Sequence, residues 1–345
     1  MAPSSPRTGL PPAAGLLVAV VAGLAIPVQG RINGALGVRL DDGIAAAVVS
    51  FTTGLLLMIV IGFALPKGRQ GLARILPALK NRSFPPFYAL AGAIGAFFVF
   101  SQSFTVGILG VALFTVATVT GQTVSGLLVD RTGFGPGGRR SITRLRLLGS
   151  VLTIAAVAWA VSPRFAGGSA GAAGAASDVG AASDVRALLA LVILPVISGF
   201  LMSFQQAMNG TAAVAYGTPM AATLVNFVAG SLVLWVAWLI KVAVAGAGRE
   251  LPGEWWYYLG GPMGCVFIGL AALLVRSLGV LVTGLGMIAG QLLGSLALDI
   301  AVPAPGAVVA PETVLGTILT LASIVVATLP WPKGALGRKR RPKGL

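Results

Sequence analysis

The sequence contains no histidine, and Cys265 is its only cysteine. One cysteine cannot form a disulfide within the chain. The lack of histidine excludes Ser-His-Asp triads and histidine-containing zinc sites. We therefore expect no catalytic residue, no metal ion and no cofactor, and an enzyme is the function class that the sequence favours least.

Charged residues of both signs are scarce, at 10% of 345 residues, whereas hydrophobic residues make up 56%. The mean hydropathy of +0.93 is far above that of a soluble domain, whose core could not bury so many apolar side chains. A membrane-spanning helix needs roughly 20 apolar residues, and the sequence provides about ten such segments. The sequence thus predicts an all-α integral membrane bundle. The predicted spans are residues 13–36, 43–65, 86–105, 107–129, 145–162, 187–212, 219–242, 256–275, 278–299 and 312–330.

Acidic residues number nine against 24 basic ones, which gives a formal net charge of +15. If the N-terminus is cytoplasmic, 18 basic residues fall on the cytoplasmic side and six on the other side. Basic loops are typical of the cytoplasmic face, so this asymmetry predicts that both termini are inside. Because the charges lie between and after apolar segments, we expect no nucleic-acid partner.

The second half of the chain repeats the first half. A shift of 176 positions superimposes the first two spans on the sixth and seventh, and a shift of 169 superimposes the third and fourth on the eighth and ninth. Apolar matches alone would carry little information in so hydrophobic a chain. The paired polar residues make the duplication convincing, and they are Gln29 with Gln205 and Asn33 with Asn209 at the first shift, and Gln122 with Gln291 and Asp130 with Asp299 at the second.

Each copy has an odd number of predicted spans, so two copies in series enter the membrane in opposite orientations. Such inverted repeats recur in secondary transporters, whose halves move around a central site. A stretch rich in Gly, Ala and Ser separates the copies and is typical of a linker. The predicted domains are a first five-helix repeat (13–162), the linker (163–186), a second five-helix repeat (187–330) and a basic cytoplasmic tail (331–345).

Amide side chains recur at equivalent positions of both copies, and in each copy a glutamine and an asparagine four residues apart share one helix face. In a bilayer these amides need partners, so they should face the bundle interior or a wet cavity. Interhelical hydrogen bonding and a substrate site remain equally supported interpretations. We expect the central cavity to lie between the first, fourth, sixth and ninth spans. The candidate substrate-binding residues are Gln29, Asn33, Gln122, Gln205, Asn209 and Gln291.

Asp130 and Asp299 end the fourth and ninth predicted spans, at opposite membrane boundaries. They are candidates for symmetric gate or proton sites. The alternative is that each is an interfacial carboxylate solvated at a helix end, because charges deep within a span are costly.

The segment AGLAIPVQGRINGALG with the following SFTTG, and its second copy SGFLMSFQQAMNGTAAVAYGTP with NFVAG, resemble the YdcZ-type inner-membrane exporters of the drug/metabolite transporter superfamily. The resemblance covers nearly the whole chain apart from its tails and linker. It implies a ten-helix bundle with inverted halves, located in the inner membrane, with an export role. The copies differ at one polar position, where Ser50 stands in the first and Asn226 in the second.

The sequence has no Walker A motif, which excludes ATP hydrolysis of the P-loop type. We expect a secondary transporter that exports small metabolites or drugs by alternating access. The alternative is a non-transporting membrane component, such as a lipid-binding or scaffold protein. The expected partners are a small molecule of unknown identity and the lipid bilayer, and the sequence is compatible with a homo-oligomer.

Topology reporters test the predicted orientation. A fluorescent protein fused after Leu345 should fluoresce in the cytoplasm. Alkaline phosphatase inserted at Ala175 in the linker should be active outside, because five spans precede it. A linker found in the cytoplasm would overturn the five-plus-five arrangement.

Overall fold

The structure, a computed structural model, describes residues 12–135, 138–139, 144–166, 181–278, 280–302 and 311–328. All regular structure within these residues is helical, and they contain no strand. The α-helices are α1 (Pro12–Gly23), α2 (Ala25–Leu40), α3 (Gly43–Ala64), α4 (Pro66–Lys80), α5 (Ala91–Leu109), α6 (Val111–Thr132), α7 (Arg144–Ala166), α8 (Ala181–Tyr216), α9 (Pro219–Ala245), α10 (Gly260–Leu278), α11 (Val280–Ala301) and α12 (Pro311–Thr328).

A helix lies at each of the ten predicted spans. Six helical stretches among the described residues are long and apolar enough to cross a membrane, and α1 and α2 together form the first of them. Shorter apolar stretches lie in α7 and α11. The described chain is therefore a helical membrane bundle. The six stretches are Ala14–Leu40, Gly43–Ala64, Pro86–Leu109, Val111–Thr132, Leu189–Tyr216 and Pro219–Ala245.

The first predicted span is interrupted at Leu24, between α1 and α2. Pro27 explains the interruption, since proline has no N–H to donate and its ring clashes with the carbonyl four residues earlier, at Gly23. The Leu24 N–H instead donates to the Val21 carbonyl, three residues back, at 3.1 Å. In α8 the equivalent residue is Ser203, and that helix continues through the position.

The predicted spans leave residues 66–85 unassigned, but residues 66–80 form the helix α4. Its apolar side chains Leu72, Ile75 and Leu79 pack against the bundle, whereas Lys67 and Arg69 are exposed. Apolar residues spaced by three and four positions are typical of an amphipathic helix. The segment is too polar to be recognised as a membrane span from its hydropathy.

The two helices α3 and α9 cross where equivalent residues of the two copies meet. The ring centroids of Phe51 and Phe227 are 5.1 Å apart. Gly54 contacts the ring of Phe227, and Gly230 contacts the ring of Phe51. A side chain at either glycine would overlap the opposite phenyl ring, so these glycines allow the two helices to approach closely.

Further glycine contacts come in pairs that obey the same sequence shifts. In each pair, a glycine of one helix lies against the backbone of a neighbouring helix, and the equivalent glycine makes the equivalent contact elsewhere in the bundle. The internal sequence similarity therefore extends to helix packing. The pairs are Gly92 with Asn226 and Gly261 with Ser50, then Gly23 with Gly290 and Gly199 with Gly121.

An ion pair fastens the start of α3 to the end of α9. The Asp42 carboxylate is buried, accepts hydrogen bonds from two backbone N–H groups in the first turn of α3, and lies 2.9 Å from the Lys241 ammonium. Just beyond α9, the Arg249 N–H donates to the Leu40 carbonyl at 3.1 Å. These contacts close one end of the α3–α9 pair.

A different set of contacts closes the opposite end of this pair. Thr218, the residue equivalent to Asp42, caps α9 by accepting a hydrogen bond from the Met220 N–H at 3.2 Å. Gly71 of α4 contacts the Thr218 methyl group, and the Arg74 guanidinium lies against Gly217. Since α4 follows α3, the end of α3 meets the start of α9, and the two helices run antiparallel.

Part of the predicted linker is helical, since α7 continues to Ala166 and α8 begins at Ala181. Residues 167–180 of the linker and the predicted tail, 331–345, lie outside the described residues. Two short 3-10 turns, Pro86–Leu90 and Trp255–Leu259, precede α5 and α10 at positions that also differ by 169.

Two glycines of α10 provide a matched test of this packing. A Cβ at Gly261 would overlap the backbone of α3 at Ser50 and Gly54, whereas a Cβ at Gly269 would meet no atom within 4 Å. We expect Gly261→Ala to destabilise the fold by about 1–3 kcal/mol. Gly269→Ala should leave stability unchanged or slightly higher. Thermal unfolding of the purified variants measures the difference, and equal unfolding temperatures would contradict the close contact.

Candidate functional site

A cavity lies at the centre of the bundle, between α2, α3, α5, α8, α9 and α10. For every residue that lines it, the repeat equivalent lines it too. The twelve lining residues thus form six pairs, contributed equally by the two copies. These pairs are Ile26 with Met202, Gln29 with Gln205, Phe51 with Phe227, Gly95 with Gly264, Phe98 with Phe267 and Val99 with Ile268.

The cavity wall is apolar except for two amide groups. Four phenyl rings and several aliphatic side chains surround the amides of Gln29 and Gln205, and none of the twelve lining residues is charged. A glycine lies close to each amide, Gly264 beside Gln29 and Gly95 beside Gln205. A larger residue at either glycine would displace the glutamine side chain.

The cavity is too small for drug-sized molecules in this conformation. Its volume is about 30 Å³, which is room for about two water molecules. Sites for drug-sized ligands are about ten times larger or more. Binding of such a ligand therefore requires the surrounding helices to move apart.

Beside the cavity, the second copy holds a network of three buried amides. The Asn226 carbonyl oxygen Oδ1 accepts hydrogen bonds from Gln205 Nε2 at 2.9 Å and from Asn209 Nδ2 at 3.0 Å. Gln205 and Asn209 lie on α8, and Asn226 lies on α9. The network therefore fixes the orientation of the Gln205 side chain and joins the two helices.

In the first copy, a different residue accepts the hydrogen bond of the asparagine. Ser50 replaces the asparagine, and its hydroxyl has no hydrogen-bond partner among the described residues. The Asn33 Nδ2 group donates instead to the Oε1 atom of Gln102, on α5, at 3.0 Å. Gln29 lines the cavity, and its amide has no hydrogen-bond partner in the described part of the chain.

Comparison with known proteins identifies the family of this chain. Residues 14–159 and 190–326 match a family described as "Putative inner membrane exporter, YdcZ". The chain belongs to this family. The match confirms the resemblance carried by the two amide-containing segments, and no curated protein matches the chain significantly.

Solved structures show the same fold. Five chains match, and one of them, a crystal structure, is 16% identical with a TM-score of 0.56. The similarity covers 92% of this chain and 96% of that chain. Together, membership of the YdcZ exporter family and the apolar helices support a multi-pass transporter of the inner membrane rather than an enzyme.

The structure brings only some of the predicted site residues to the cavity. Gln29 and Gln205 line it, and Asn33 and Asn209 lie in the flanking amide networks. Gln122 of α6 and Gln291 of α11 are buried but do not line it. Instead of the fourth and ninth spans, the second, third, seventh and eighth spans complete the wall, because α3 and α9 cross at the centre.

The two aspartates at the predicted gate positions have different surroundings. Asp299 is only 5% exposed, although a carboxylate solvated at a helix end would be open to water. Its carboxylate accepts hydrogen bonds from the Val111 N–H at 3.2 Å and the Ala112 N–H at 2.7 Å. Asp299 of α11 thus caps the first turn of α6, in the other copy, where backbone N–H groups favour a negative charge. Asp130 is half-buried at the end of α6.

Gln102 takes part in the first amide network but is not among the polar residues that recur in both copies. The position equivalent to Gln102 is Ala271, so the repeat supplies no match there. Gln102 is nevertheless completely buried within an apolar segment. The available signal was an amide inside a predicted span, at a position where the two copies differ.

Positions 226 and 50 offer a matched test of the amide networks. Asn226→Ala removes the acceptor of two hydrogen bonds and leaves two amides without a partner, so we expect a loss of about 1–3 kcal/mol in stability. Ser50→Ala removes a hydroxyl that has no partner among the described residues and should change stability little. Thermal unfolding of both variants checks the comparison; equal losses would argue against the network.

Proposed function

We propose that the protein is a secondary transporter that exports small metabolites or drugs by alternating access. The observation that carries this proposal is the central cavity, whose lining consists entirely of residue pairs related by the internal repeat. A site built equally from both halves keeps equivalent contacts with each half when one half moves against the other.

The proposed architecture is a bundle of ten spans in two inverted halves, residues 13–162 and 187–330, with both termini in the cytoplasm. The antiparallel crossing of α3 and α9 and the paired glycine contacts support the inversion. The first half would then be related to the second by an axis passing near Phe51 and Phe227.

In the proposed cycle, the described conformation is the occluded one. The cavity holds no more than water, and both ends of the α3–α9 pair are closed. Opening one end requires separation of Asp42 from Lys241, and opening the other requires α4 to leave Thr218. We propose Asp299 as a gate residue at the start of α6, and Asp130 as its counterpart.

Within this proposal, Gln29 and Gln205 contact the substrate, and Asn33 and Asn209 support them through the flanking networks. Gln122 and Gln291 would reach the substrate only when the helices separate. The partners proposed are one small molecule and the surrounding lipid, with no nucleic acid and no cofactor.

Cysteine labelling tests alternating access without knowledge of the substrate. Val99 and Ile268 are equivalent cavity residues on α5 and α10. In a Cys265→Ala background, Val99→Cys and Ile268→Cys should each react with a membrane-impermeant methanethiosulfonate reagent added to either right-side-out or inside-out vesicles. Mass spectrometry measures the labelled fraction. We expect labelling from both sides, because the cavity opens alternately to each.

The matched control is Leu232→Cys on α9, where Leu232 is 63% exposed on an apolar helix surface. This cysteine faces lipid and should resist the reagent from either side. Labelling of the cavity cysteines from one side only would overturn alternating access. Labelling from neither side would favour a non-transporting membrane component.

A further inference from the structure

The two glutamines of the cavity are equivalent in sequence but not in their hydrogen bonds. The Gln205 Nε2 group is committed to Asn226 Oδ1, which Asn209 shares. Among the described residues the Gln29 amide has no such partner, and Ser50 stands at the position equivalent to Asn226. The compensating residue, Gln102, bonds Asn33 and not Gln29.

This difference separates the tasks of the two glutamines. A free primary amide offers both donors and an acceptor to a ligand, whereas an amide already held by a neighbour offers less. Holding Gln205 in place also removes conformational freedom that a ligand would otherwise have to restrict. Gln29 is therefore the amide available for recognition, and Gln205 a positioned part of the wall.

The rest of the lining restricts the charge of the ligand. None of the twelve lining residues could neutralise an ionic group, and an unpaired charge buried within a bilayer is strongly disfavoured. Phenyl rings and aliphatic side chains occupy the remaining wall and favour an apolar molecular body. A ligand that fits both features is uncharged and carries one group able to donate and accept hydrogen bonds.

We infer that the cavity takes an uncharged, largely apolar ligand whose single amide-like group binds Gln29, while Gln205 acts as a positioning residue held by Asn226. The inference rests on the proposed transport function, since it assigns the substrate class of the same cavity. It makes the divergence between Ser50 and Asn226 the origin of a functional asymmetry between two otherwise equivalent halves.

The unequal hydrogen bonding is measurable without any ligand. In protein labelled with ¹⁵N-glutamine, the side-chain amide signals of the two residues are assigned with Gln29→Leu and Gln205→Leu. We expect the Gln205 amide protons to exchange with water about fivefold more slowly than those of Gln29, because one additional hydrogen bond protects them. Ser50→Asn should slow exchange at Gln29, and Asn226→Ser should accelerate it at Gln205. Equal exchange rates in the parent protein would overturn the unequal roles.

Three probes that share a phenyl ring test the ligand class. Benzamide is uncharged, benzoate is an anion and benzyltrimethylammonium is a cation. A ligand that binds the folded state raises its unfolding temperature. We expect benzamide to stabilise the parent protein more than the two ions do. Its apparent affinity should fall about fivefold or more in Gln29→Leu and in Ser50→Asn, and less in Gln205→Leu.

Each other result contradicts the inference. Equal loss of benzamide binding in the two leucine variants would assign the glutamines the same role. Stronger stabilisation by benzyltrimethylammonium would indicate recognition of a cation by the phenyl faces, and stronger stabilisation by benzoate or no effect of benzamide would exclude the proposed class. Two-sided cysteine labelling without a benzamide effect would overturn this inference alone, whereas one-sided labelling with an intact benzamide effect would overturn transport alone.

Discussion

A polar group buried between membrane-spanning helices is stabilised by a partner within the protein, because the bilayer offers no water to replace it. Most of the specific contacts in this bundle follow from that constraint. Asn226 accepts hydrogen bonds from two amides, and Gln102 accepts one from Asn33. Asp299 accepts hydrogen bonds from backbone N–H groups at the start of α6. Each contact joins two helices, so satisfying the polar groups also fixes the arrangement of the bundle.

Close helix packing depends on glycine for a related reason. Lipid tails are as apolar as leucine, so helices gain little by merely covering apolar side chains and associate through close backbone contact and hydrogen bonds. Gly54 and Gly230 allow α3 and α9 to cross with Phe51 and Phe227 in contact. The same crossing brings the two copies together around a small cavity, and it places the cavity away from α6 and α11.

Duplication and divergence have different consequences in this protein. Duplication yields a cavity whose lining residues all occur in repeat-related pairs, which suits a site that two halves must share. With Ser50 at the position equivalent to Asn226, the first copy lacks the network that holds Gln205, and Asn33 donates instead to Gln102. The ends of the bundle also diverged, one closed by the Asp42–Lys241 ion pair and the other by the amphipathic helix α4.

The sequence by itself determined the membrane location, the positions of the apolar helices, the internal repeat, the family and the paired glutamines, because hydropathy and recurrence are properties of the chain alone. Tertiary structure decided that Gln102 completes the first amide network, that Asp299 caps a helix of the other copy, and that Gln122 and Gln291 lie outside the cavity. It also decided that Pro66–Lys80 folds onto the bundle as α4. These features depend on which helix faces meet, and in a chain this apolar many pairings would bury similar surface, so only the three-dimensional fit of glycines and polar partners selects among them.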